Sequence, residues 1–120
     1  MLYISGGSTH LISFPEMMLP ASLTSLNFGR FPNLEYLASK GFQKLSSLER
    51  LTISGCGKLT SLSKDGLPPS IVSLEIYNCP LLEQRCKKEG QEWSKIAHIP
   101  YVESEWWILS FEFIRKGRNG

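Results

Sequence analysis

Neither a long apolar run nor a paired set of cysteines occurs in this chain, and each absence excludes something. The longest greasy stretch, Trp106 to Ile114, contains Glu112 and falls well short of the roughly 20 apolar residues a membrane-spanning helix needs. Cys56, Cys79 and Cys86 make an odd count without a Cys-x-x-Cys pair. They fit reduced thiols in a cytoplasmic or nuclear compartment better than a disulfide framework. No Asn-x-Ser/Thr acceptor is present, and no Lys or Arg precedes Arg30, so no secretory leader is expected. Charge of one sign is scarce as well. Thirteen Lys and Arg stand against 11 Asp and Glu, and the net charge of +2 is carried by Arg115, Lys116 and Arg118 against Glu112 near the end. Elsewhere acids and bases alternate, as in Arg85, Lys87, Lys88, Glu89, Glu92 and Lys95. That pattern lacks the single basic face with which proteins neutralise phosphates, so no nucleic-acid partner is expected.

Reactive groups are equally thin on the ground. The two histidines, His10 and His98, lie far apart in sequence, whereas a metal site needs several ligands brought together. The tempting Gly55-Cys-Gly57-Lys58 lacks the first glycine of a phosphate-binding loop and has Leu59 where a magnesium-binding hydroxyl belongs. Asp65 and Glu75 are scattered acids with no matched partner for proton transfer. No catalytic residue, cofactor or metal is therefore expected, and the chain reads as a non-enzyme. With 120 residues, 42% apolar and 20% charged, it is sized for one folding unit.

What the chain does contain is self-similarity. Leu23-x-x-Leu26-x-Phe28-x-x-Phe31-x-x-Leu34 recurs as Leu48-x-x-Leu51-x-Ile53-x-x-Cys56-x-x-Leu59 and as Ile71-x-x-Leu74-x-Ile76-x-x-Cys79-x-x-Leu82. The steps from Leu26 to Leu51 and to Leu74 are 25 and 23 residues, inside the roughly 20 to 29 of leucine-rich repeats. A truncated copy, Leu2-x-Ile4-x-x-Gly7, opens the chain. In each copy the x-Leu-x-Ile-x centre alternates apolar and polar, which predicts a strand with one buried face. Pro20, Pro32, Gly41, Gly66, Pro68, Pro69 and Pro80 punctuate the connections and favour irregular segments over long helices. The expected fold is α/β: a leucine-rich-repeat solenoid with a short parallel sheet of about four strands on its concave face, irregular convex segments and a C-terminal cap. Residues 1–82 form the repeats, 83–103 the cap and 104–120 an unmatched tail.

Within that fold Leu26, Leu51, Leu74, Phe28, Ile53 and Ile76 point inward, and Cys56 and Cys79 occupy an inward slot that Phe31 fills with bulk. Cys86, amid charged neighbours, reads as the freer thiol. Trp93 and Ile96 are placed to close over the last strand. Leu2, Ile4, Leu11 and Phe14 should present an apolar edge, a template for association. The outward positions form one patch in which Asn27, Arg30, Arg50, Thr52, Glu75 and Tyr77 are the candidate protein-binding residues, with Arg50 and Tyr77 as anchors because such side chains dominate binding hot spots.

The segments Leu48-Glu-Arg-Leu-Thr-Ile-Ser-Gly-Cys56-Gly-Lys-Leu59, Gly66-Leu-Pro-Pro-Ser, Leu74-Glu-Ile-Tyr-Asn-Cys79-Pro80 and Trp93-Ser-Lys-Ile96-Ala-His98-Ile99-Pro100 together resemble the last repeats and terminus of plant intracellular nucleotide-binding, leucine-rich-repeat disease resistance proteins. The stretch between Cys86 and Trp93 is one residue short of that family's usual pattern, Ser94 stands where proline is common, and Ser104 onward matches nothing in it. The resemblance implies a part in plant defence. Such repeats sense pathogen effectors or guarded host proteins, and they regulate an upstream nucleotide-binding domain that this chain lacks. A different reading, an autonomous leucine-rich-repeat adaptor that binds substrates for a ubiquitin ligase, would need an adaptor-binding motif not found here.

Overall fold

The computed structural model describes residues 1–7, 10–15, 19–87, 89–105 and 108–110, the last three by their backbone alone. Its elements run in the order β1 (Leu2–Ser5), β2 (Ser13–Phe14), β3 (Ser25–Gly29), β4 (Tyr36–Leu37), α1 (Ser39–Gln43), β5 (Arg50–Ser54), β6 (Ser73–Tyr77), α2 (Pro80–Cys86), α3 (Trp93–Ile96), β7 (Tyr101–Ser104) and β8 (Ile108–Ser110). The architecture is α/β, built on a parallel sheet with few and short helices.

The sheet has the order β1-β3-β5-β6-β7-β8, its first five strands parallel and β8 antiparallel to β7. Where a parallel sheet of about four strands is expected, the sheet has five in parallel. The extra strand, Tyr101-Val-Glu-Ser, carries a single aliphatic residue, Val102, and so lacks the repeat's leucine signature, yet Val102 registers on Leu74 and is buried. Residues 83–103 therefore supply a crossover, containing most of α2 and all of α3, and then a further strand.

Register explains the core. Leu2, Leu26, Leu51, Leu74 and Val102 face one another in a row across the strands, and Ile4, Phe28, Ile53 and Ile76 form the next row. Side chains two apart along a strand share a face, so both rows point the same way, and from β3 onward their members are at most 1% exposed. A second, smaller ladder lies elsewhere in the chain: β2 pairs with β4 in parallel, and Tyr36 bridges to Ser61. Its backbone bonds, Glu35 N–H to Ile12 O at 2.8 Å and Thr60 N–H to Glu35 O at 3.0 Å, satisfy connections that contain no long helix.

Two expectations about burial are overturned. Phe14 is no part of an open edge. Its ring stacks on Phe28 with centroids 4.4 Å apart and packs against Phe31 and Phe42, leaving it fully buried, while Leu2, Ile4 and Leu11 remain half-buried. Cys86 is not the freer thiol either. It ends α2 on the helix's buried side with Leu82, and its exposure is 0% because the crossover folds α2 and α3 onto the core. Burial, with the Glu92 charge nearby, pushes its thiol up to about 12.

The same crossover buries two carboxylates that residue type alone would place at the surface. Glu83 is 2% exposed and accepts from the backbone N–H groups of Cys79 and Glu105, each at 3.1 Å. Glu92 is 4% exposed, accepts from Leu62 N–H at 2.6 Å and pairs with Lys95 at 3.0 Å. Each buried charge thus has the partners it needs, and together they tie α2, the segment before α3, and the end of β7 to the repeats. Trp93 packs half-buried against the core beside fully buried Ile96.

Candidate functional site

Because alternate residues face opposite sides of a strand, the inward rows force Ser25, Asn27, Arg50, Thr52, Ser73 and Glu75 outward. Register then orders them. Asn27, Thr52, Glu75 and Glu103 form one row across four strands; Ser25, Arg50, Ser73 and Tyr101 form the row before it. Tyr77 registers with Ser54 in the row after it. Of the six candidate residues, five lie on this face over three adjacent strands: Asn27, Arg50, Thr52, Glu75 and Tyr77. Arg30 does not. It follows the last residue of β3, exposed, in left-handed backbone with φ 59°.

The face is polar and internally connected on its β6–β7 side. Thr52 Oγ1 donates to Glu75 at 3.5 Å, while the phenols of Tyr77 and Tyr101 both donate to the Glu103 carboxylate. Those two bonds hold the Glu103 carboxyl below the usual carboxylate range, Tyr101 contributing more. In return the Tyr101 phenol is raised chiefly by its bond to Glu103. The Tyr77 phenol is raised by partial burial first and by Glu103 and Glu75 after it. Asn27 Oδ1 is shielded from solvent and has no hydrogen-bond partner among the described residues. Tyr101 and Glu103 escape sequence inspection because their strand does; Tyr3, 56% exposed in the row with Asn27, also belongs to the face.

A second feature lies at the carboxyl ends of the strands. Arg30, Gly55 and Asn78 each follow a strand, and all three are left-handed, with φ 59°, 64° and 53°. Glycine and asparagine tolerate that region, whereas Arg30 costs on the order of 1 kcal/mol there. The backbone keeps its ladder going through the bend: Arg30 N–H reaches Ser54 O, and Gly55 N–H reaches Tyr77 O, both at 3.0 Å. Gly29 must be glycine, since a Cβ there would lie 2.4 Å from Ser54 O and Oγ. The bend leaves an open cavity of about 440 Å³ lined by Gly7, Arg30, Pro32, Ser54, Gly55 and Asn78.

Among the described residues no group of three His, Cys, Asp or Glu side chains could hold a metal ion, and no helix is long and apolar enough to cross a membrane. Gly55-Cys-Gly57-Lys58 is the turn after β5, and Lys58 Nζ donates to Asn33 Oδ1 at 3.3 Å. All three cysteines are buried.

Comparison with known proteins returns no matching family model and no matching solved structure. Over 110 residues, 91% of its length, the chain is 41% identical to an Arabidopsis thaliana protein named for disease resistance. It spans only 8% of that relative's length. The chain is thus similar to a small part of that disease resistance protein.

Proposed function

We propose that this chain, similar to a small part of a plant disease resistance protein, is a leucine-rich-repeat segment from the C-terminal end of such a receptor and works by recognising protein rather than by catalysis. The observation that carries this reading is the register: copies 25 and 23 residues apart stack Leu26 on Leu51 on Leu74 and leave Asn27, Thr52 and Glu75 side by side on the opposite face. Repeats that share a buried face and add strands in parallel build a continuous surface for a partner. The similarity to a disease resistance protein supports a part in plant defence, with a pathogen effector, a host protein or the receptor's own nucleotide-binding domain as partner, inside the cytoplasm or nucleus. Arg50 and Tyr77 are the anchors, and Asn27, Thr52 and Glu75 supply polar contacts between them.

The test uses the full-length receptor in plant cells, with Arg50→Glu and Tyr77→Ala on the outer face. The expected result is a changed immune response, lost on challenge or switched on without it, at unchanged receptor level and with altered co-precipitation of a partner. Wild-type responses from both variants would reject the outer face as the recognition surface.

A further inference from the structure

We infer that the cavity at the carboxyl ends of β1, β3, β5 and β6 takes the carboxylate of an acidic side chain from a protein partner, with Arg30 as its anchor. This rests on the reading of the chain as a protein-recognition segment and adds the chemistry of one contact. Three polar side chains ring the cavity, the Arg30 guanidinium, the Ser54 hydroxyl and the Asn78 amide, and none of them makes an ion pair or side-chain hydrogen bond among the described residues. All three can donate, and guanidinium can only donate, so the complementary group is an acceptor and an anion. The planar fork of arginine fits a carboxylate through two parallel bonds.

Charge and shape select within that class. Among the described residues Arg30 is the only cation lining the cavity, and neighbouring Lys58 already donates to Asn33. One guanidinium balances one negative charge, whereas a doubly charged phosphoryl group would call for a second cation. Gly7 and Gly55, both left-handed, bring no side chain to the wall, and a Cβ at Gly7 would meet nothing within 4 Å. Pro32 adds an apolar surface against which the methylene stem of a glutamate can lie. At about 440 Å³ the space suits one side chain and its neighbouring backbone. The left-handed bend at Arg30 lays the start of its side chain beside Gly55, with Cγ 3.7 Å from where a Cβ there would stand, and Arg30 lines the cavity at that point.

The experiment is a nuclear magnetic resonance titration of the isotope-labelled 120-residue chain, at a concentration where it sediments as a monomer, with the blocked tripeptide acetyl-Gly-Glu-Gly-amide, its Gln twin and inorganic phosphate. The glutamate peptide should move the backbone amide signals of Gly7, Arg30, Gly55 and Asn78, and the Gln twin should not. Arg30→Asn, which keeps a residue tolerant of left-handed backbone, should weaken glutamate binding at least about tenfold without lowering the melting temperature. Absence of shifts at those four residues, equal shifts from the Gln twin, or unchanged binding by Arg30→Asn would each overturn the inference. Tighter binding of phosphate than of the glutamate peptide would overturn it in favour of a phosphorylated partner. Failure here is distinct from failure of the broader proposal, which is read by Arg50 and Tyr77 variants in the receptor.

Discussion

Cys56 donates its backbone N–H to the sulfur of Cys79 at 3.4 Å, one strand away, and each thiol in turn points at a carbonyl of its own strand, Ser54 O and Tyr77 O. The two thiols fill the slot that Phe31 fills one repeat earlier, and all three side chains are at most 2% exposed. The interaction between the two thiol side chains and burial raise the Cys79 thiol, with the Cys56 backbone N–H acting the other way, while the thiol–thiol interaction lowers that of Cys56. Exposure decides reactivity more than acidity here, because a reagent must first reach the sulfur. In the native chain at neutral pH all three cysteines, Cys86 included, should react with a thiol reagent far more slowly than in denaturant. One thiol labelling as fast as a free peptide thiol would show that its segment opens.

Leu51 sits between Leu26 and Leu74 in the middle of the buried row. Truncation to alanine leaves a cavity that its stacked neighbours have little room to fill. Leu51→Ala should cost about 2 to 5 kcal/mol in denaturant unfolding. A loss below about 0.5 kcal/mol, the level of ordinary surface changes, would reject this packing.

Glu83 joins the start of α2 to the end of β7 through its two backbone acceptances. Glu83→Ala orphans the buried N–H of Cys79 and the part-buried N–H of Glu105, and should destabilise by about 1 to 3 kcal/mol for each group that water fails to reach. Glu83→Gln keeps an acceptor oxygen and should lose less. Equal losses from the two variants, measured by thermal unfolding, would assign the cost to something other than those bonds.

The Tyr77–Glu103–Tyr101 cluster makes a pH prediction with a definite sign. Glu103 has a lowered carboxyl, so its contribution is present above its unfolded value and disappears as pH falls through the lower folded value. Tyr77 and Tyr101 have raised phenols, so theirs is present below the ordinary phenol range and disappears as pH rises beyond it. Melting temperature should thus fall at both ends, acid and strongly alkaline. In Tyr77→Phe/Tyr101→Phe the acid loss attributable to Glu103 should shrink. An identical acid profile in that double variant would show that the phenols do not hold the carboxylate.

At the sheet's edge, β1 carries half-buried Leu2 and Ile4 and is paired on one side, with β3. An edge of this kind recruits other strands. The isolated chain should associate with rising concentration in analytical ultracentrifugation, and Ile4→Lys should reduce that association. A monomer at every concentration would contradict it.

The recurring Leu-x-Ile spacing by itself determined the three central strands, their inward residues and the outward set Asn27, Arg50, Thr52, Glu75 and Tyr77, because a period of two copied at a near-constant step leaves one way to bury the apolar half. Tertiary structure decided what no local pattern carries. Val102 became core only through register on Leu74, which brought Tyr101 and Glu103 onto the outer face. Cys86, Glu83 and Glu92 went inside because the crossover folds over them, although their charged sequence neighbourhood reads as surface. Phe14 was drawn from the edge by three other rings. Arg30 left the row of its neighbours because the chain turns left-handed immediately after β3. A side chain's place in a strand is a local property of the pleat, whereas which distant segment packs on it depends on contacts that exist only once the chain has closed on itself.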